Sequence, residues 1–178
     1  MTARVLVAGI GNVFLGDDGF GVEVVRRLAR GPLPDGVTVS DVGIRSLHLA
    51  YALLDRPELL VVVDAVSRGE APGTLYLIDP NEPNKPNKPN DPNEAAVSPN
   101  EIPDAHGMSV ETVLAAVRTL GGEPPPTLIV GCEPAFIGER MGLSPAVEDA
   151  LPRAGNMIRA TIARQLGIAV PVAVEEKA

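Results

Sequence analysis

One run of residues constrains the fold of this chain more than any other. Leu59 to Val66 (LLVVVDAV) is apolar at every position except Asp64, which lies near its C-terminal end. A strand that is apolar on both faces is typical of a parallel sheet, because such a sheet is covered by helices on both sides. The chain has no Trp, two Tyr and three Phe, so its core must consist of Val, Leu, Ile and Ala. The run therefore predicts an α/β layered fold.

The rest of the chain alternates between strand patterns and helix patterns. Four further strands are predicted, at Arg4–Ile10, Val37–Val42, Thr74–Ile78 and Leu128–Cys132. Helices are predicted over Val22–Ala29, Ser46–Leu54, Val110–Leu120 and Ala146–Gln165. For the second helix the apolar spacing predicts that one face carries Leu47, Ala50, Tyr51 and Leu54.

The connection before the fourth strand sets its direction. Only Ser67 to Gly73 separate it from the preceding strand, and a parallel crossover needs about a dozen residues or more. We therefore expect this strand to run antiparallel. The predicted fold is a three-layer sandwich in which a five-stranded, mostly parallel sheet with one antiparallel strand has helices on both faces.

The chain length of 178 residues predicts a single domain, residues 1–178. Residues 81–104 (NEPNKPNKPNDPNEAAVSPNEIPD) interrupt it with a repeat of Asn, a charged residue and Pro. Proline at every third position removes backbone donors and favours extended backbone. The segment is predicted to be a flexible, solvated insertion; a partner-binding arm is the alternative.

Charge and composition exclude several functional classes. Fifteen basic and twenty-three acidic residues give a net charge of −8, which argues against binding to nucleic acid or to an anionic membrane. The single cysteine, Cys132, cannot form a disulfide within the chain. No signal-peptide pattern and no membrane-spanning stretch is evident, so we expect a cytoplasmic protein.

A glycine-rich loop with two acidic residues follows the first strand. In Gly9–Gly19 (GIGNVFLGDDG), Phe14 stands where a dinucleotide fingerprint has its third glycine. Asp17 and Asp18 stand where a phosphate loop has Lys and a hydroxyl, and they would repel a phosphate. One aspartate is expected to cap the following helix, which leaves the other available for chemistry.

Asp64, His106 and Asp18 together suggest a metal site. Ligands of open α/β sheets bind outside the carboxyl ends of the strands. Asp18 and Asp64 meet there if the first and third strands are neighbours, although Asp64 alone is also compatible with a turn residue. His106 precedes a helix, and two carboxylates with an imidazole suit a divalent transition metal.

Two other residues have weaker claims to function. A nucleophilic pair of Cys132 with His106 is the alternative chemistry, but a buried inert cysteine is the commoner outcome. His48, flanked by two leucines in the second helix, is expected to be a structural or rim residue.

These segments, in this order, resemble the [NiFe]-hydrogenase maturation endopeptidases. The resemblance rests on VAGIGNVFLGDDGFGVEVVRRL, VVVDAV with APGTLYLI, AHGMSVETVLAAV, and IVGCEPAFIGERMGLSPAVEDALPRA. It covers nearly the whole chain apart from the Asn/Pro segment. The first motif is specific, and the others support it because they follow in the family's order.

The resemblance implies an endopeptidase that removes the C-terminal extension of a nickel-loaded hydrogenase large-subunit precursor. It implies metal binding by Asp18, Asp64 and His106, with nickel supplied by the precursor and no organic cofactor. Asp18 and Asp64 are the implied catalytic residues, as in an aspartyl-type endopeptidase. By maturing the hydrogenase, the protein would also act as an enzyme activator. The metal would activate water or polarise the scissile carbonyl, or a carboxylate would be the general base.

The chain departs from the family pattern at two places. The family often has Glu at the position of Asp18. Its Gly-Gly-Thr segment after the second strand, which the resemblance assigns to substrate contact, is Val42-Gly43-Ile44 with Arg45 following. Two alternatives remain: a non-catalytic nickel-recognition or chaperone protein on the same fold, and a related peptidase with another protein substrate.

Overall fold

The computed structural model describes residues 4–81 and 109–167. Its strands are β1 (Val5–Ile10), β2 (Val37–Gly43), β3 (Leu59–Ala65), β4 (Leu75–Ile78) and β5 (Thr127–Cys132). Its helices are α1 (Phe20–Leu28), α2 (Ser46–Leu53), α3 (Val110–Thr119) and α4 (Pro145–Leu166), and a short 3-10 turn, Asp17–Gly19, leads into α1. Each predicted strand and helix is present, with ends within two residues of the prediction.

The five strands form one sheet in the order β2-β1-β3-β5-β4. The pairs β1–β2, β1–β3 and β3–β5 are parallel, whereas β4 runs antiparallel to β5. The prediction of one antiparallel strand is confirmed, and its cause is the short connection from β3. Because β1 and β3 are neighbours, the residues that follow them emerge side by side at the carboxyl edge of the sheet.

Helices cover both faces of the sheet. Alternate side chains of the central strand β3 point to opposite sides, so Val61 and Val63 pack with α1 and α4 while Leu60 and Val62 pack with α2 and α3. Both clusters consist of aliphatic residues apart from Phe20 and Cys132. The three-layer arrangement expected from the apolar run of β3 is confirmed.

The buried side of α2 differs from the face that the apolar spacing outlines. The helix buries Leu49, Ala50 and Leu53, whereas Leu47 and Tyr51 are about half exposed, at 49% and 54%. The sequence of α2, SLHLAYAL, has apolar residues on almost every side, so its periodicity does not choose between faces. Packing against α3 and the sheet makes that choice.

Close backbone packing fixes the start of α1 against the sheet. A Cβ atom on Gly21 would overlap the Val63 carbonyl oxygen, and one on Gly9 would overlap the Gly21 carbonyl oxygen. Only glycine allows this approach. The first turn of α1 and the 3-10 turn before it therefore lie directly at the ends of β1 and β3.

Among the described residues, no helix combines the length and the apolar character that crossing a bilayer requires. The cytoplasmic location and the extent of the domain stay predictions. Only Asn81, the first residue of the Asn/Pro segment, lies within the described residues. The predicted flexibility of the segment therefore stays a prediction.

Candidate active site

Asp18 lies at the carboxyl edge of the sheet, in the 3-10 turn that precedes α1. Its Oδ2 accepts a hydrogen bond of 2.7 Å from the backbone N–H of Asn12, at the other end of the loop. The Asn12 side chain in turn accepts a hydrogen bond from the N–H of Phe14. The Asn12–Asp18 loop is therefore closed on itself, and the Asp18 carboxylate is held in place while it stays partly exposed.

Asp64 lies near the end of β3, close to Asp18. Its Oδ1 accepts a hydrogen bond of 2.8 Å from the N–H of Ala65. Burial, with the negative charge on Asp18 as the second cause, raises the pKa of Asp64 to about 7. Two carboxylates that repel each other at neutral pH form a site that attracts a proton or a cation. The predicted meeting of Asp18 and Asp64 is confirmed.

Asp17 has a different role from its neighbour, and the expected helix cap is not formed by either aspartate. The Asp17 side chain is 1% exposed and accepts hydrogen bonds from the backbone of Ala135, Phe136 and Ser144 and from the Ser144 hydroxyl. Burial alone raises the pKa of Asp17, but these hydrogen bonds outweigh it and lower the pKa below its usual value. Asp17 therefore anchors the loop between β5 and α4.

A second buried carboxylate, Glu133, was missed by the sequence analysis. It accepts hydrogen bonds from the Tyr76 hydroxyl at 2.6 Å and from Ser67, Arg68 and Gly69. Burial raises the pKa of Glu133, but these donors outweigh it and the pKa is lowered. Glu133 directly follows a fully buried strand, which is the same signal that singled out Asp64.

The third predicted metal ligand is His106. His106 lies outside the described residues, so its place as a metal ligand stays a prediction. Within residues 4–81 and 109–167 no group of three or more His, Cys, Asp and Glu side chains is placed to hold a metal ion. Asp18 and Asp64 supply two hard oxygen ligands with mutually repelling charges, a donor set that fits a divalent cation given a third ligand.

Cys132 and His48 do not join this pair. Cys132 is buried, and that burial raises the pKa of its thiol to about 11, which disfavours the reactive thiolate. His48 is exposed on α2, as expected of a rim residue. The segment Val42-Gly43-Ile44 ends β2 beside the site, where the Gly43 carbonyl accepts a hydrogen bond from Gly11 and Ile44 is exposed.

Fold and site together define a class: an α/β-layered protein with a carboxylate pair at the carboxyl edge of its sheet, suited to acid–base chemistry or to a divalent cation. The family model of the hydrogenase maturation proteases matches residues 22–161. The chain belongs to this family and is a peptidase.

Individual relatives agree with this assignment. The chain is 31% identical over 170 residues to the hydrogenase 2 maturation protease of Escherichia coli, covering 94% of this chain and 96% of that protein. It is 32% identical over 158 residues to a putative hydrogenase maturation protease of Methanocaldococcus jannaschii, covering 86% and 93%. The solved structure of the hydrogenase maturating endopeptidase HybD from E. coli superposes with a TM-score of 0.70 at 29% identity, covering 91% and 93% of the two chains.

Proposed function

We propose that this peptidase removes the C-terminal extension of a [NiFe]-hydrogenase large-subunit precursor after nickel has been inserted. The observation that carries the proposal is the Asp18–Asp64 pair at the carboxyl edge of the sheet, in a chain that belongs to the hydrogenase maturation proteases. Nickel is part of the substrate in this proposal, so the enzyme recognises a precursor that already holds the metal.

Asp18, Asp64 and His106 are the proposed ligands of the nickel in the precursor. The two carboxylates support this assignment, since bringing a cation between them relieves their repulsion and favours the ionised form of Asp64. A nickel ion held there would polarise the scissile carbonyl or lower the pKa of a bound water.

Asp18 and Asp64 are also the proposed catalytic carboxylates of an aspartyl-type reaction. Asp64, in its ionised form, would accept a proton from the attacking water and return it to the leaving amine. Asp18, whose Oδ2 accepts a hydrogen bond from the Asn12 N–H, lies beside it. Removal of the extension would activate the hydrogenase, so the protein would act as an enzyme activator.

Mass spectrometry of a large-subunit precursor tests this function. The precursor is incubated with the protein, with and without prior nickel loading, and in parallel with an Asp64→Asn variant. Loss of a discrete C-terminal peptide only from the nickel-loaded precursor, and only with the unsubstituted protein, is the expected result. An unchanged precursor mass in every sample would refute the proposal and favour a related peptidase with another protein substrate.

A further inference from the structure

Four large apolar side chains stand exposed on two loops next to the carboxylate pair. We call them the apolar rim; they are Phe14 (63% exposed), Phe136 (48%), Ile137 (50%) and Met141 (71%). Phe14 lies in the loop between β1 and α1, and the other three lie in the loop between β5 and α4. Clustered exposed apolar residues of this kind mark interaction sites more often than isolated ones do.

The two loops that carry the rim are bonded to each other through their backbones. Gly16 N–H donates to the Arg140 carbonyl at 2.7 Å, and Arg140 N–H donates to the Phe14 carbonyl at 3.1 Å. The buried Asp17 carboxylate adds hydrogen bonds to the backbone of Ala135 and Phe136. The backbone of the rim is therefore preorganised, and binding to it would not require the loops themselves to be ordered.

Packing around Phe136 adds to this rigidity. A Cβ atom at Gly138 would lie 2.7 Å from Cζ of Phe136, so the ring rests directly on the glycine. At Gly16, whose φ is +65°, a Cβ atom would lie 2.9 Å from the Phe136 carbonyl oxygen. Two glycines thus hold an aromatic side chain in an exposed position.

The rim carries two of the three phenylalanines of the chain. The sequence has three Phe and no Trp. Phe20 is completely buried in the core, whereas both remaining Phe residues lie on the apolar rim. Aromatic residues and Met are enriched in the energetically important parts of protein interfaces.

The rim begins in the same loop as Asp18. Phe14 belongs to the loop that the Asn12–Asp18 hydrogen bond closes, so the rim begins within a few residues of the carboxylate pair. We propose that the apolar rim is the docking surface for apolar side chains of the precursor protein next to the peptide bond that is cleaved. This inference rests on the proposed function, because it takes the peptidase substrate to be that precursor.

The test substitutes the two most exposed rim residues, Phe14→Ser and Met141→Ser, singly and together. Leu120→Ser is the matched control, since Leu120 is 42% exposed at the end of α3, toward the amino edge of the sheet. Each full-length variant is assayed for KM with nickel-loaded precursor, and for Kd with precursor that has not been loaded with nickel, which the proposed function leaves uncleaved. We expect KM and Kd to rise roughly tenfold for each rim substitution and roughly a hundredfold for the pair, with no change for Leu120→Ser.

The outcomes separate the docking surface from the function. Cleavage with an unchanged KM in the double rim variant overturns the docking proposal and leaves the function intact. If the unsubstituted protein does not cleave the precursor, the proposed function fails, and the docking proposal, which rests on it, fails with it. A dimer of the free protein that the rim substitutions dissociate would assign the surface to a second copy and overturn the proposal.

Discussion

Asp17 and Asp18 are adjacent in sequence and opposite in environment. Asp17 is buried and surrounded by N–H and O–H donors, which lower its pKa. Asp18 is partly exposed and accepts a hydrogen bond from the backbone N–H of Asn12. Its negative charge lies close enough to Asp64 to raise the pKa of that residue. The difference shows that the number of donors, and not burial alone, distinguishes a structural carboxylate from one available for chemistry.

The largest effect is expected from removing the charge of Asp18. In an Asp18→Asn variant we expect the rate of precursor cleavage to fall by about 1000-fold, because a positioned acid–base or ligand group typically contributes roughly that much. The thermal unfolding midpoint should stay close to that of the unsubstituted protein. The measurement is the rate of release of the C-terminal peptide, followed by mass spectrometry.

Asp149→Asn is the control for this experiment, since Asp149 is an exposed acidic residue on α4. It should cleave at the normal rate. Normal cleavage by a folded Asp18→Asn variant would remove Asp18 from the proposed catalytic residues.

The next largest effect is a loss of stability when the Asp17 carboxylate is replaced. An amide at this position offers one acceptor oxygen and turns two donors toward the N–H groups of Ala135, Phe136 and Ser144. We expect Asp17→Asn to lower the free energy of unfolding by about 3 kcal/mol. Chemical denaturation at pH 7 measures it, and a loss below about 0.5 kcal/mol would contradict the anchoring role.

The third prediction concerns Asp64, whose protonation should make the stability of the protein depend on pH. Its pKa is about 7 in the folded protein against an ordinary value of 3.8, so the folded state keeps a proton that the unfolded state has lost. Stability therefore declines as the pH rises from about 4 to 7 and is level above that range. Asp64→Asn removes this decline, so we expect the variant to be more stable than the unsubstituted protein at pH 8, with little difference at pH 4.

Thermal unfolding of both proteins across this pH range is the measurement. A stability difference that is the same at pH 4 and pH 8 would show that burial and the Asp18 charge do not hold the proton on Asp64.

The smallest effect on stability is expected at Glu133, which like Asp17 is a buried carboxylate that accepts several hydrogen bonds. Tyr76→Phe deletes one of its donors, the hydroxyl at 2.6 Å, and leaves the backbone donors of Arg68 and Gly69 in place. We expect a loss of about 1 kcal/mol in the free energy of unfolding and unchanged cleavage. A larger loss than that of Asp17→Asn would reverse the proposed order of the two anchors.

The sequence predicted the parts of this molecule that local pattern determines. The apolar run around Val61 indicated a buried central strand, and the short Ser67–Gly73 connection indicated the antiparallel strand. The buried face of α2 and the role of Asp17 were not predicted. Both depend on tertiary packing: Asp17 bonds to Ser144, 127 residues away in the sequence, and no local pattern records that contact.

The candidate site was predicted to a similar extent. Asp64 stood out as a single acidic residue in an apolar strand, and its meeting with Asp18 followed from the strand order. Glu133 was missed, although its position after β5 carries the same signal. The apolar rim was not predicted because exposed Phe136 and Met141 look like ordinary core residues until the loop that carries them is placed.

The contact between Gly9 and Gly21 has a consequence for attempts to redesign this peptidase. Because a main-chain oxygen would lie within 2.3 Å of a Cβ atom on either glycine, a library randomised at positions 9 and 21 should return glycine almost exclusively. A library at rim positions such as 14 and 141 should tolerate many residues and change which substrates are accepted. To alter the substrate selectivity, the loops that carry the rim should therefore be exchanged as a whole while Gly9 and Gly21 are kept.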